Sequence, residues 1–347
     1  MDINRRRLIV VSALTGAVLT ATLATPAVAA PFSAFGVDTT QLGVRAGGAA
    51  DQSNMLQAAI DKTAGARVPL MLGPGEYRVG GLKLPRGTQL IGVRGATRLV
   101  FTGGAALISA RGADYVTLAG LVLEGGGRTM EVNGLLYFAE CGDLRIMDCE
   151  VINSGRSGIR LEAVQGAISG TTVVKTADVT IYSEFGFEGA VIANNTIDGA
   201  ALGIVACNFN EGGRLAVVEG NLIRNLKPKR PAGTDPGDGA GIGIGIEADA
   251  SVTGNVIENA PYAGIVVGWG AYMRDVSVVG NAVRCAPLGI AVSVTSGAGT
   301  AVITGNLISG VSRSAIVGMD HVNVVAGDLS QEPARYANLQ VSGNRMR

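Results

Sequence analysis

An all-β solenoid of parallel strands, one coil to each repeat, is the fold class predicted by this chain of 347 residues, and three observations predict it. The stretch Val252-Thr253-Gly254-Asn255-Val256-Ile257 recurs at Val217–Ile223, Val278–Val283, Val302–Ile308 and Val341–Asn344. A further copy, Val191–Ile197, has Asn194 in place of the glycine. From Asn195 the repeat asparagines follow at steps of 26, 34, 26, 25 and 38 residues, the period of a stacked-repeat architecture. A second beat trails each asparagine: Gly203-Ile204, Gly245-Ile246, Gly264-Ile265, Gly289-Ile290 and Ala315-Ile316. Finally, 52 glycines and only 4% aromatic residues suit many tight turns around a narrow aliphatic core.

Each unit reads as a strand, a turn at Gly-Asn, a short strand, a second turn and a Gly-Ile strand. One unit is too short to bury its own apolar side, so it stacks on copies of itself at about 4.8 Å per coil. An asparagine returning at one point of every coil has two readings. Stacked amides can form a ladder, each side chain bonding the coils above and below, or Gly-Asn merely supplies a left-handed turn conformation. Cys149 falls where the repeat asparagine would stand in its coil, which makes it a buried, inert thiol.

Residues 1–30 read as a cleavable export signal: Arg5, Arg6 and Arg7, an uncharged run from Leu8 to Ala24, and Ala27-Val28-Ala29 as a small-x-small cleavage site. Arg5-Arg6 followed by Leu8-Ile9 has the form of a twin-arginine motif, and an ordinary Sec signal with an arginine-rich start is the competing reading. Export places the protein in the periplasm or outside the cell, in contact with a membrane only in transit. Basic and acidic residues balance at 28 each, and loss of residues 1–30 leaves 25 against 27, so nothing points to nucleic acid. The four cysteines have neither CxxC nor zinc spacing, and a single histidine, His321, stands apart from any other evident ligand set. No metal site is expected.

Residues 31–66 form a loop and a capping helix. Asp51-Gln52-Ser53 can start the helix, and Met55, Leu56, Ala59, Ile60 and Ala64 recur at helical spacing. Such a helix would block the open edge of the first coil. Residues 67–347 hold the repeats. Gln57-Ala58-Ala59-Ile60-Asp61, Leu72-Gly73-Pro74-Gly75-Glu76-Tyr77 and Leu84-Pro85-Arg86-Gly87-Thr88-Gln89-Leu90-Ile91-Gly92 resemble the N-terminal signature of the pectate-lyase-like right-handed parallel β-helix superfamily. Ala46-Gly47-Gly48-Ala49-Ala50-Asp51 stands where that superfamily opens with an acidic Gly-Asp-Gly stretch. Signal and repeats together resemble the twin-arginine-translocated repeat proteins, a family of uncharacterised activity. The resemblance implies export in the folded state and thereby suggests a bound cofactor; no residue here identifies one, so the cofactor is unknown.

In the Gly-Ile strands inward Ile and Val alternate with outward residues. Ile159 and Leu161 are expected inward, with Arg160 and Glu162 outward. Val179 and Ile181 are expected inward, with Thr180 and Tyr182 outward. Outward pairs in later coils are Val205 with Cys207, Glu247 with Asp249, and Val266 with Gly268. Long turns from Glu184 to Glu188, Asn208 to Arg214 and Trp269 to Arg274, with the insertion Lys227 to Gly241, would wall this face into a groove that fits an extended polymer.

Glu247 and Asp249 on one strand would approach from the same side, a poor arrangement for glycoside hydrolysis. A lyase or epimerase of uronates needs a base and a group to neutralise the sugar carboxylate, roles that Arg160, Tyr182, Arg214, Glu247 and Asp249 could fill. Glu162, Glu184, Asn208, Glu211, Trp269 and Tyr272 are the candidate substrate contacts, the two aromatics as stacking platforms. Alternatively, Arg160 and Glu162 are paired surface charges without a role in binding. Thr234-Asp235-Pro236-Gly237-Asp238-Gly239 resembles the Asp-Pro-His-Asp motif of alginate epimerases, but Gly237 replaces the histidine, and a mobile turn is the simpler reading. The expected partner is a polysaccharide, bound and in the catalytic case modified; the alternative is a non-catalytic envelope or surface module.

Overall fold

The computed structural model of the protein describes residues 36–184, 189–208, 216–227 and 241–347. The export signal, Glu211, Arg214 and the stretch from Thr234 to Gly239 lie outside the described residues. Among the described residues three sheets of 12, 11 and 11 strands wind side by side, and from Leu70–Met71 to Ser314–Asp320 every third strand along the chain falls in the same sheet, parallel to its neighbours. The first sheet takes the strands before Gly-Asn, such as Ala250–Thr253. The second takes the short strands after it, such as Val256–Glu258. The third takes the Gly-Ile strands, such as Ala263–Val267.

The ladder and the turn are both present, on adjacent residues. Gly220, Gly254, Gly280, Gly305 and Gly343 have φ between 62° and 66°, and Asn194 has φ 57°. In that region a side chain costs conformational energy, and Gly or Asn tolerates it best. The asparagine that follows turns inward. Asn195, Asn221, Asn255, Asn281 and Asn306 are at most 1% exposed. From Asn221 onward the amide oxygen of one coil accepts both the backbone N–H and the Nδ2 of the asparagine one coil earlier, as Asn281 does from Asn255 at 2.9 Å. Its own Nδ2 donates to the preceding coil, here to Val252 O at 2.9 Å. The column begins with substitutes: Cys149 N donates to Thr171 Oγ1, and Thr171 N to Asn195 Oδ1. Cys149 is buried as expected, and burial pushes its thiol up to about 11.

The helix spans Ser53–Ala66 and covers the first coil. Leu56, Ala59, Ile60, Thr63 and Ala64 are buried, while Met55 is 48% exposed. That corrects the expected apolar face by exchanging Met55 for Thr63, whose hydroxyl is satisfied by Ala59 O. Gln57 does what the next strand would do. Its Nε2 donates to Lys83 O at 2.7 Å and its Oε1 accepts Lys83 N at 2.8 Å, so the terminal strand Leu82–Lys83 has its edge occupied.

Candidate functional site

The third sheet departs from simple alternation at the beat itself. Gly203, Gly243, Gly264 and Gly289 all sit inward beside the following isoleucine, which corrects the expected beat at Gly245-Ile246: Ile244 pairs with Ile204 and Ile265, and Gly245 falls in the outward place beside Val205. A Cβ at Gly264 would stand 2.4 Å from Val283 Cγ1, and one at Gly289 2.4 Å from Ala315 O. Two consecutive inward residues leave the residue before the glycine facing out. Leu202, Ile242, Ala263 and Leu288, with Ala291, Val317 and Met319, therefore form a second apolar cluster on the outer face. The same displacement corrects the strand Val179–Glu184. Val179 borders the outer cluster, whereas Thr180 is fully buried and donates to Leu202 O at 2.8 Å.

A cavity of about 330 Å³ opens on this cluster. Val179, Leu202, Val205, Ile242, Val266 and Met319 form its aliphatic wall, and Tyr182, Cys207, Glu247, Trp269 and His321 supply polar or aromatic edges. Strand register puts Glu162 beside Glu184, and Glu184 beside Cys207. Glu247 takes the next place, its N–H donating to Ala206 O.

Glu247 sits just past the strand Ile242–Ile246, and its Oε2 is buried without a hydrogen-bond partner among the described residues. Burial pushes its carboxyl up to about 8. The Cys207 thiol opposes that shift by hydrogen bonding, and the Glu184 charge adds to it. Tyr182 is raised far above the ordinary phenol range by burial, then by Cys207 and Glu184. Burial and the Glu247 carboxylate do the same to the Cys207 thiol. Glu247, Cys207 and Tyr182 thus hold protons at neutral pH in one connected row.

Arg160 lies beside this row. Its Nε meets Glu162 Oε1 at 2.8 Å and its Nη2 meets Glu184 Oε1 at 2.6 Å. The guanidinium also lies over the Tyr182 ring at 4.4 Å. Tyr137 donates to the second oxygen of Glu162 at 2.6 Å. Burial works against the charge on Glu162, but hydrogen bonds from Tyr137 and Arg160 outweigh it and hold its carboxyl low. Arg160 is thus paired with two carboxylates through Nε and Nη2.

The structure separates Glu247 from Asp249. The strand ends at Ile246, and Asp249 has φ 48°, in the turn that enters Ala250–Thr253. It is 7% exposed, and its Oδ2 accepts Arg274 Nη2 at 2.5 Å and Asn208 Nδ2 at 2.9 Å. The expectation of two carboxylates at i and i+2 on one outward row is corrected: the chain has already turned the corner. Asn208, expected in an exposed loop, is likewise buried.

Trp269 borders the cavity, while Tyr272, on the turn Gly270–Tyr272, is 53% exposed. Sequence reasoning set His321 aside. It occupies the turn between strands Ser314–Asp320 and Asn323–Asp328, an antiparallel pair that ends the third sheet. Its ring meets Trp269 edge to face at 5.3 Å, and its Nδ1 lies 2.8 Å from Asp320 Oδ1. Only the fold carries it to the cavity holding Glu247. Cys207 was read as outward-facing without a role. Its place between two acidic positions of the outer row is the signal that could have marked it.

The model of a right handed beta helix region matches residues 106–283. No curated protein matches the chain. Among solved structures it is similar to the A-module of a mannuronan C-5 epimerase from Azotobacter vinelandii, at 17% identity over 89% of this chain and 97% of that one, with a TM-score of 0.55. An exopolygalacturonase from Thermotoga maritima is 12% identical over 91% of this chain and 92% of that one, with a TM-score of 0.59. The tailspike protein of E. coli bacteriophage HK620, in complex with a pentasaccharide, is 13% identical over 80% of this chain and 61% of that one, with a TM-score of 0.57. At such identities the likeness is one of fold. With three stacked parallel sheets, an internal asparagine column and a family match across more than half its length, the chain belongs to the right-handed β-helix family.

Proposed function

We propose that the protein binds a glycan along the third sheet and cleaves it with Glu247 as general acid. The observation that carries this reading is the buried, unpartnered Oε2 of Glu247 at a cavity wall, on a carboxyl raised to about 8. A carboxyl that keeps its proton at neutral pH can give it to a leaving glycosidic oxygen. His321 borders the same cavity. If its Nδ1–H donates to Asp320, Nε2 has a lone pair with which to accept a proton from the attacking water. Water then adds to the anomeric carbon as the glycosidic bond breaks, and the proton returns to Glu247 through solvent. The lyase or epimerase alternative needs a cation for the sugar carboxylate; of the two arginines expected in that role Arg160 is engaged by Glu162 and Glu184, and Arg214 lies outside the described residues. Neighbours of the same fold that act on mannuronan or polygalacturonate, or hold a pentasaccharide, support the glycan reading.

Incubation with a panel of polysaccharides, read by new reducing ends, tests the proposal. Retention of a polymer with no new ends for any substrate would leave a non-catalytic binding module. That second reading draws on the Tyr137, Arg160, Glu162 and Glu184 network, which is mutually satisfied as a structural network would be.

Export through the twin-arginine route is part of the proposal. Changing Arg5 and Arg6 together to Lys is expected to retain the precursor in the cytoplasm, whereas Sec inhibition leaves export intact. Immunoblots of cell fractions check it, and continued export of the double-Lys form rules the route out.

A further inference from the structure

His321 and Asp320 are each about half exposed, and an exposed pair of this kind holds weakly by itself. Strand register supplies what holds it here. Ser293 pairs with Met319 across the strands Leu288–Ser293 and Ser314–Asp320, which brings Thr295, two residues on, to the corner that Asp320 and His321 occupy. The Thr295 hydroxyl donates to Asp320 Oδ1 at 2.9 Å, the same oxygen that stands 2.8 Å from His321 Nδ1. Buried Ser293 lies behind them, its Oγ donating to Gly270 O at 2.8 Å and approaching Thr295 Oγ1 at 3.3 Å. The turn that carries Trp269 and the carboxylate beside His321 therefore share one hydroxyl support. Trp269 meets the imidazole edge to face at 5.3 Å. Gly270, with φ 56°, leaves the approach to Nε2 open, because a Cβ there would run into that nitrogen.

The place of the imidazole proton follows from what Asp320 can do. The Thr295 hydroxyl and then the His321 ring hold its carboxyl below the ordinary carboxylate range, so at neutral pH it is ionised and only accepts hydrogen bonds. A ring nitrogen 2.8 Å away must donate to it, and a neutral imidazole has one N–H to give. We infer that Asp320 and Thr295 are positioning residues for His321, fixing its proton on Nδ1 and leaving Nε2 as the acceptor beside Gly270. The inference rests on the reading of His321 as the base that takes a proton from water, and it names the residues that hold the tautomer this reading requires. Neither Asp320 nor Thr295 is among the described residues that line the cavity. Both act through the imidazole.

The chain has a single histidine, so the full protein labelled with 15N-histidine gives one imidazole. Two-bond 1H–15N correlation spectra, taken well above the ordinary histidine pKa of about 6.5, read which nitrogen holds the proton. The wild type is expected to show Nδ1 protonated and Nε2 bare. Asp320→Asn, whose amide can donate to Nδ1, should move the population to the form protonated on Nε2. Thr295→Val acts from a different strand and should give a mixture of the two forms, while Thr295→Ser, which keeps the hydroxyl, should match the wild type. On a polysaccharide that the wild type cleaves, Asp320→Asn is expected to lower kcat about 10–10²-fold with KM little changed, less than a fully buried Asp–His pair commands because both side chains are half exposed. A wild-type proton on Nε2, or an Asp320→Asn spectrum identical to that of the wild type, overturns the inference. The expected tautomers with an unchanged kcat overturn the reading of His321 as the base and leave the assignment of its proton standing.

Discussion

Glu247→Gln is expected to lower glycan cleavage by about 10²–10⁴-fold, the usual contribution of one positioned general acid, while leaving binding nearly unchanged. Glutamine preserves the shape and the hydrogen-bonding edge but has no proton to transfer. The wild-type rate should fall as pH rises through about 8, where the buried carboxyl loses that proton. Stability carries the same signature. In the unfolded chain Glu247 titrates near its ordinary 4.5, so between there and about 8 the folded state binds more protons than the unfolded state. The stability of the wild type relative to the glutamine variant must therefore decline as pH rises across that window. Denaturant melts of both proteins at several pH values, beside reducing-end assays, give the two readouts. A glutamine variant with full activity would remove Glu247 from the chemistry, and a stability difference that is flat with pH would show that the carboxyl is not held protonated by the fold.

Asn281→Ala is expected to cost about 1–3 kcal/mol. Its Oδ1 accepts Asn255 N and Asn255 Nδ2, and its Nδ2 serves Val252 O and Asn306 Oδ1, all between buried groups. Truncation orphans the buried Asn255 N–H, while Asn255 Nδ2 keeps Val218 O and Thr253 O. Asn281→Thr should recover part of the loss, because Thr171 holds the same place in its coil and accepts Cys149 N through Oγ1. Asn208→Ala, which an exposed loop would tolerate, should cost about 1–3 kcal/mol, since Asp249 then loses one of the donors to its buried carboxylate. Denaturant melts rank the three. An Asn281→Ala variant as stable as wild type would reduce the column to a row of turns.

The coil itself was legible residue by residue. Each left-handed glycine and inward asparagine is a local requirement of backbone geometry and buried amide pairing, and it leaves the same mark in every repeat. The outer row was legible in part. Arg160, Glu162, Tyr182 and Glu184 lie on the expected side because strand alternation reaches that far. Alternation fails at Thr180 and at the Gly-Ile beat, where close approach to the next coil turns two neighbouring residues inward. It fails again at Asp249, where the strand has ended one turn earlier than the pattern suggests.

The sequence by itself determined that this chain winds into parallel coils, where each coil turns and which amides stack, because those features repeat within the range of one coil. Tertiary structure alone decided the chemistry of the site. Burial between the coils and the Glu184 charge raise the Glu247 carboxyl against the Cys207 hydrogen bond, Arg160 is engaged by Glu162 and Glu184, and His321 arrives on the terminal hairpin against Trp269. Which side chains meet across the face follows from strand register and from how much burial the stacked coils impose. Neither is written in the spacing along the chain, because repeats of unequal length place partners at unequal separations.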